Sequence, residues 1–117
     1  MTPLAVHVYQ HLRRRLRSRQ PSMTYAELAQ ALDYRFSTHP RSPRLHAALT
    51  EVTRACRARG LPVLPAIVWR AGAKRPSPGY FKVAHPRAAT DDARLAAWQR
   101  EHARVLREAD NFPASLA

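Results

Sequence analysis

The feature that most restricts the fold is an amphipathic segment, Arg41 to Arg59, with helix signals at both ends. Ser42 and Pro43 suit the N-cap and the first helical position, and Gly60 suits the C-terminal stop. Apolar side chains recur at helical spacing and form one narrow stripe: Leu45, Ala48, Leu49, Val52 and Cys56. The opposite side carries small residues and arginines. Such a face is typical of a recognition helix, and equally of a solvated basic helix.

Three further helices are predicted around this segment. The N-terminal helix is expected over residues 3–19. A capping box formed by Thr24 and Glu27 predicts a short second helix, so that two helices joined by a polar turn make a helix-turn-helix. Thr90 is the expected N-cap of a last helix, in which Trp98 anchors the core.

The sequence after the long helix has the pattern of two short strands. Residues 66–70 and 80–83 are short runs rich in β-branched and aromatic side chains. The loop between them contains two Gly and two Pro together with Lys74 and Arg75. Strand, basic loop and strand after two helices is the arrangement of a wing, whose cations contact a groove or a phosphate backbone.

The predicted fold class is α+β: a winged helix-turn-helix with an N-terminal helix, a two-stranded wing and a C-terminal helix. With 117 residues, 45% of them hydrophobic, the chain is expected to form one modest core. We expect a single winged-helix-like domain over residues 1–110 and a flexible tail over residues 111–117.

Charge gives the strongest indication of a partner. Lys and Arg number 20 against 8 Asp and Glu, a formal net charge of +12, and 18 of the cations are Arg. Residues 1–90 alone hold 16 cations and 3 acids. A body this basic favours a polyanion such as nucleic acid, and arginine suits bidentate phosphate and base-edge contacts. An acidic protein surface or an anionic membrane would meet the same electrostatic demand.

The cellular location is expected to be cytoplasmic, and nucleoid-associated if the protein binds DNA. Cys56 is the single cysteine, which excludes an internal disulfide and a cysteine-rich zinc site. The sequence has no apolar run of about 18 residues and no basic-then-apolar order at its N-terminus. No membrane partner is therefore expected.

The run Thr24-Tyr25-Ala26-Glu27-Leu28-Ala29 resembles the Thr-Tyr-Gly-Glu-Leu-Ala helix opening of the alkylguanine-DNA alkyltransferase family and its alkyltransferase-like relatives. The resemblance spans roughly residues 22–83 and implies a winged-helix DNA-binding half. It implies that Tyr25 contacts DNA phosphate, and that Arg44 lies at or beside the position of the base-displacing arginine. Where the family has Pro-Cys-His-Arg, this chain has Pro65 followed by Ala-Ile-Val, so the resemblance implies no alkyl transfer.

The sequence does not look like that of an enzyme. His7 and His11 have the spacing of a two-histidine metal pair but lack a third ligand, and Cys56 lies on an apolar stripe where a thiol is inert. The carboxylates are scattered, so a metal-dependent nuclease, with Glu51 among its ligands, is the least favoured hypothesis. We expect no catalytic residue, no metal and no cofactor.

The favoured hypothesis is non-enzymatic binding of double-stranded DNA through the basic helix and the wing. The predicted contacts are Tyr25, Arg41, Arg44, His46, Thr50, Arg54, Arg57, Lys74 and Arg75, with secondary backbone contacts from Arg13, Arg14 and Arg17. The alternative is a winged-helix interaction module (an inhibitor, adaptor or subunit) whose basic face docks on an acidic protein. The sequence does not distinguish DNA from RNA.

Overall fold

Helices dominate the fold, in a computed structural model that describes residues 1–116. The elements are α1 (Pro3–Leu16), β1 (Met23–Thr24), α2 (Tyr25–Phe36), α3 (Pro43–Ala58), β2 (Val68–Trp69), α4 (Pro78–Ala84) and α5 (Asp91–Arg107). Single 3-10 turns occur at Leu64–Ile67 and Ala109–Asn111. The architecture is α+β. Within the described residues, no helix combines the length and the apolarity needed to cross a bilayer.

Local capping signals set several helix starts. The Thr24 hydroxyl accepts from the Glu27 backbone N–H at 3.1 Å, and the Glu27 carboxylate accepts from the Thr24 N–H at 3.2 Å, which confirms the predicted capping box. These hydrogen bonds hold the pKa of Glu27 below its ordinary value. Thr90 caps α5 as predicted. The first helix ends at Leu16, three residues earlier than expected.

The core is one cluster of buried apolar side chains between the long helices. α1 packs along α3, and the 3-10 turn at Leu64–Ile67 lies against α1, α3 and α5. Cys56 is fully buried on the inner stripe of α3, as expected. Trp98 is also buried, and its indole N–H donates to the Ala66 carbonyl at 2.9 Å. This bond satisfies the polar end of the ring where α5 covers the 3-10 turn.

The two strands form a minimal parallel sheet rather than a wing. Met23 pairs with Val68 and Thr24 pairs with Trp69, so β2 pairs with the chain before α2. Only part of the predicted strand at residues 66–70 is extended, because its beginning belongs to the 3-10 turn. This pairing joins segments about 45 residues apart, which local sequence patterns do not report.

The predicted second strand, residues 80–83, is wrong: these residues lie within α4. Ser77 and Pro78 occupy the N-cap and first helical positions, where proline is favoured. Tyr80, Phe81 and Ala84 are buried together, at the spacing of one helix face. Four aromatic and β-branched residues fit either periodicity, and packing against α3 decides between them. The two-stranded wing is therefore absent from the described chain.

The segment predicted as a flexible tail packs on the domain through residue 116. Phe112 and Leu116 are buried, with 2% and 8% of their surface exposed. The Tyr9 hydroxyl donates to the Pro113 carbonyl, and Arg13 Nε donates to the Phe112 carbonyl at 3.1 Å. The Gln10 amide donates to the Ala114 carbonyl. These contacts hold the C-terminal segment against α1, although Tyr9 and Pro113 are 104 residues apart in the sequence.

Candidate nucleic-acid interface

The solvent-facing side of α3 is the principal candidate surface. Arg44, Ala47, Arg54 and Ala58 are exposed along it. Successive positions differ by three, seven and four residues, so they lie on one side of the helix. Small alanines therefore alternate with arginines on a continuous strip, as the sequence pattern predicts.

The single acid on this strip, Glu51, is held by the start of α1. Its Oε2 accepts from the Thr2 backbone N–H at 3.0 Å and from the Thr2 hydroxyl at 3.2 Å. Arg44 borders the same region, lining a shallow groove with Pro3 and Phe36. Neither Arg44 nor Arg54 forms a hydrogen bond or an ion pair through its side chain within residues 1–116. Both guanidinium groups therefore remain available to an external anion.

The other edge of the strip is bounded by α4. Arg57 is exposed, yet its Nη1 donates to the Val83 carbonyl at 2.6 Å and the Ala84 carbonyl at 3.4 Å. A cation at a helix C-terminus satisfies orphan carbonyls and complements the helix dipole. Thr50, predicted to lie near bases or phosphates, is half-buried beside α4. It lines a cavity of about 40 Å³, far below the roughly 300–1,000 Å³ of small-molecule sites.

Two predicted contact residues make their hydrogen bonds inside the protein. Tyr25 is buried, and its hydroxyl accepts from the Ser77 backbone N–H at 2.9 Å while donating to the Ser77 hydroxyl at 3.2 Å. Burial raises the pKa of Tyr25. The His46 Nε2 donates to the Pro40 carbonyl at 2.8 Å, and the His46 and Tyr25 ring centroids lie 5.1 Å apart. Tyr25 therefore connects α2 to the start of α4.

A Tyr25→Phe variant tests this interior role. We expect the free energy of unfolding to fall by about 1–2 kcal/mol, because the Ser77 N–H loses its acceptor in a buried setting. We expect duplex DNA affinity to stay within about twofold, since the hydroxyl does not face solvent. Urea denaturation and fluorescence anisotropy measure the two quantities. Unchanged stability with weakened DNA binding would restore the phosphate contact that the resemblance implies.

The two cations of the predicted wing lie on a tight turn. The Arg70 N–H donates to the Arg75 carbonyl at 2.9 Å, and the Lys74 N–H donates to the Arg70 carbonyl at 2.8 Å. Lys74 is exposed at φ 54°, in the left-handed region, and its ammonium group has no partner in the described chain. Arg75 is half-buried, and its Nη1 contacts both Asp91 carboxylate oxygens at 2.9 and 3.0 Å. Lys74 alone is free for an external anion.

Two of the three predicted secondary contacts, Arg13 and Arg17, lie beside the C-terminal segment. Arg13 is half-buried and bonded to the Phe112 carbonyl. Arg17 is exposed and 3.9 Å from Asp110. Arg14 is exposed, and its side chain makes no contact with an acid in residues 1–116. Of the three predicted secondary contacts, Arg14 is the least engaged.

Groups suited to catalysis are dispersed. Burial raises the pKa of the Cys56 thiol to about 11, which leaves it a poor nucleophile. His7 Nδ1 lies 2.9 Å from the Pro3 carbonyl, and its Nε2 lies 3.3 Å from Arg35. Burial and the neighbouring Arg14 lower the pKa of His11. No group of three His, Cys, Asp or Glu side chains within residues 1–116 is placed to hold a metal ion.

Sequence reasoning missed a second group of cations, at the junction of α4 and α5. Clefts there are lined by Arg70, Lys82, Arg87, Arg94 and Arg100. These residues are scattered along 31 positions and belong to four different segments, so no run of charge marks them. The helical period of α5 places Arg100 opposite its buried side, which is a local signal that Arg100 is available, whereas Arg94 lies four residues before the buried Trp98 and has no such signal.

The predicted contact residues thus fall into two groups, according to whether their side chains are available to an external anion. Four of these residues are exposed with free side chains: Arg41, Arg44, Arg54 and Lys74. Four others make side-chain hydrogen bonds within the protein: Arg57, His46, Arg75 and Tyr25.

The comparisons with known proteins add no assignment. No family model, curated protein or solved structure matches this chain.

Proposed function

We propose that this protein binds double-stranded DNA without catalysing a reaction on it, using the exposed strip of α3. The observation that supports this most is the pair Arg44 and Arg54, which face solvent without an acidic partner on a surface of small side chains. The one acid on the strip, Glu51, is already hydrogen-bonded to Thr2. The strip therefore presents net positive charge to an incoming polyanion.

The dimensions of α3 suit a DNA groove. Its 16 residues extend for about 24 Å, and Arg44 and Arg54 lie about 15 Å apart along the axis. The major groove of B-form DNA, about 12 Å wide, admits one α-helix. Ala47 and Ala58 let the backbone approach closely, while the flanking arginines reach bases or phosphates. In this arrangement α2 and α3 act as a helix-turn-helix, with α3 as the recognition helix.

Two further exposed cations outside α3 are candidates for the same interface. Arg41 is exposed just before α3 begins. Lys74 is exposed on the turn that precedes Ser77, and Ser77 lines one small cavity with His46 and Thr50 of α3. Lys74 and Arg41 are therefore suited to phosphate contacts, which fix orientation without reading sequence. In this proposal the turn makes the phosphate contact that the sequence pattern assigns to the loop of a two-stranded wing.

The dispersed catalytic groups favour a binding protein over an enzyme. The buried thiol of Cys56 and the absence of a clustered donor set in residues 1–116 supply neither a nucleophile nor a metal site. A protein with this function would be cytoplasmic and nucleoid-associated. Docking on an acidic protein is the competing function, since carboxylates offer the same charge. It predicts a protein that co-purifies after nuclease treatment.

A salt titration of duplex binding tests the proposal. With the four free cations Arg41, Arg44, Arg54 and Lys74 at the interface, about four phosphates are neutralised, and the slope of log K against log salt is expected near −3.6. Fluorescence anisotropy of a labelled 20-base-pair duplex measures it between 50 and 200 mM salt. A duplex RNA of the same sequence is the matched comparison. No binding at 50 mM salt, or a slope near zero, would refute the proposal.

A further inference from the structure

A cleft of about 450 Å³ opens beside the turn that follows β2, between α4 and the start of α5. Its volume falls within the range of about 300–1,000 Å³ that is usual for small-molecule sites. The cavity next to Thr50 has less than a tenth of this volume. The cleft therefore has room for a small organic ligand.

Three free cations line this cleft. The side chains of Arg70 and Lys82 have no hydrogen-bond or ion-pair partner in residues 1–116. Arg94 makes one long hydrogen bond, from Nη2 to the Ala89 carbonyl at 3.4 Å, and keeps its other donors. These three come from the end of β2, from α4 and from α5, so the fold brings them together from separate segments. Their combined charge suits a dianion better than a monoanion.

Rigid apolar walls accompany the charge. Pro76, Pro78 and Pro86 line the cleft, and the buried ring of Phe81 forms part of its lining. Proline side chains and a buried aromatic ring lose little conformational entropy when a ligand packs against them. The cleft thus offers a surface for an apolar or aromatic group next to a group of cations.

One acidic side chain of the protein, Asp91, also lines the cleft and is paired with Arg75. The Asp91 carboxylate contacts Arg75 Nη1 through both oxygens, at 2.9 and 3.0 Å. Asp91 keeps about three-quarters of its side chain exposed, at 74%. Its carboxylate neutralises the fourth cation of the cleft and opposes the entry of another anion by like-charge repulsion.

We propose that this cleft binds an organic phosphate, a phosphate monoester whose apolar or aromatic group packs on the proline walls. The dianionic phosphate lies among Arg70, Lys82 and Arg94, which supply charge-assisted donors. Size, charge and apolar lining together indicate this class of ligand. A carboxylate would leave most of the positive charge uncompensated, and inorganic phosphate would leave the apolar walls in water. The inference does not depend on the DNA-binding proposal, because the cleft and the α3 strip use different free cations.

Calorimetric titration of the full chain with phenyl phosphate tests this site. We expect a dissociation constant on the order of 0.1 mM, about tenfold weaker binding of inorganic phosphate, and no binding of phenol. Arg70→Gln is expected to weaken phenyl phosphate binding about tenfold. Asp91→Asn is expected to strengthen it severalfold, since the change removes the competing negative charge and frees Arg75. Strengthening by loss of a carboxylate is an effect that mere damage to the fold would not produce.

Arg107→Gln is the matched control, because it removes the same charge about 24 Å from Asp91 along α5. Equal weakening by Arg107→Gln and Arg70→Gln would overturn the proposal and assign binding to net charge. Absence of phenyl phosphate binding to the folded wild-type chain would also overturn it. Duplex DNA with and without 5′-phosphates separates the two sources of a monoester: tighter binding of the phosphorylated duplex indicates a DNA end, and equal binding indicates a free small molecule.

Separate variants distinguish failure of the cleft proposal from failure of the DNA-binding proposal. Arg54→Gln is expected to weaken binding of an unphosphorylated duplex and leave phenyl phosphate binding unchanged. Arg70→Gln is expected to do the reverse. A chain that binds duplex DNA but no phenyl phosphate would refute the cleft alone.

Discussion

Replacing Arg44 and Arg54 together with glutamine is expected to weaken duplex DNA binding about a hundredfold near 0.1 M salt. Each arginine supplies a charge-assisted contact of roughly 1.5 kcal/mol, a factor of about ten per residue. The slope of log K against log salt is expected to become shallower by about 1.8, because two fewer phosphates are neutralised. Fluorescence anisotropy across a salt series measures both quantities.

These two residues are better targets than Arg57, although Arg57 belongs to the same predicted face. The Arg57 guanidinium holds the Val83 and Ala84 carbonyls at the end of α4. Its replacement would therefore change the packing of α4 on α3 as well as any DNA contact. Arg44 and Arg54 have no such intramolecular role in the described chain, so a loss of affinity reports on the interface directly.

The matched control removes two arginines elsewhere. Arg19 and Arg107 are exposed, and their side chains form no hydrogen bond or ion pair in residues 1–116. A variant carrying Arg19→Gln and Arg107→Gln has the same net charge as the test variant. Equal losses of affinity in both would assign binding to overall charge rather than to α3. Unchanged affinity in the test variant would eliminate the α3 strip as the DNA-binding surface.

A Phe112→Ala variant is expected to lose about 3–4 kcal/mol of unfolding free energy. Phe112 is only 2% exposed and belongs to the main apolar cluster, so truncation leaves a cavity and removes buried apolar area. The loss also releases the contacts that hold the neighbouring backbone to Tyr9 and Arg13. Urea denaturation followed by circular dichroism measures the change.

Tyr34→Ala is the control for aromatic truncation, because Tyr34 is 78% exposed. Its expected effect is within about 0.5 kcal/mol, as for most surface substitutions. A Phe112→Ala loss no larger than that of the control would mean that residues 111–116 do not contribute to the core. The chain would then have the flexible tail that its sequence suggests.

Local signals in the sequence were sufficient for most of the helices. The capping box of Thr24 and Glu27, the Thr90 cap and the proline at the start of α3 all act on backbone groups within a few residues. The inner stripe of α3 was equally readable, and it predicted the burial of Cys56. These features depend on neighbours along the chain, so their physical causes are present in the sequence itself.

The sequence could not indicate which arginines remain free. Arg54 and Arg57 lie on the same side of a helical projection, yet only Arg57 reaches the carbonyls of α4. Tyr25 occupies a motif position that the resemblance assigns to phosphate contact, but its hydroxyl is bonded to Ser77, 52 residues later. Availability to a ligand depends on the partners a side chain finds after folding, which no local pattern records.

The sequence alone determined the charge, the capped helix starts at Thr24 and Thr90 and the inner stripe of α3, because each arises from covalent neighbours and their backbone preferences. The tertiary structure decided that residues 80–83 are helical, that β2 pairs with β1 and that Phe112 closes over α1. It also assembled the cleft of Arg70, Lys82 and Arg94. These outcomes depend on contacts between distant segments, where burial outweighs the weak intrinsic preference of short runs.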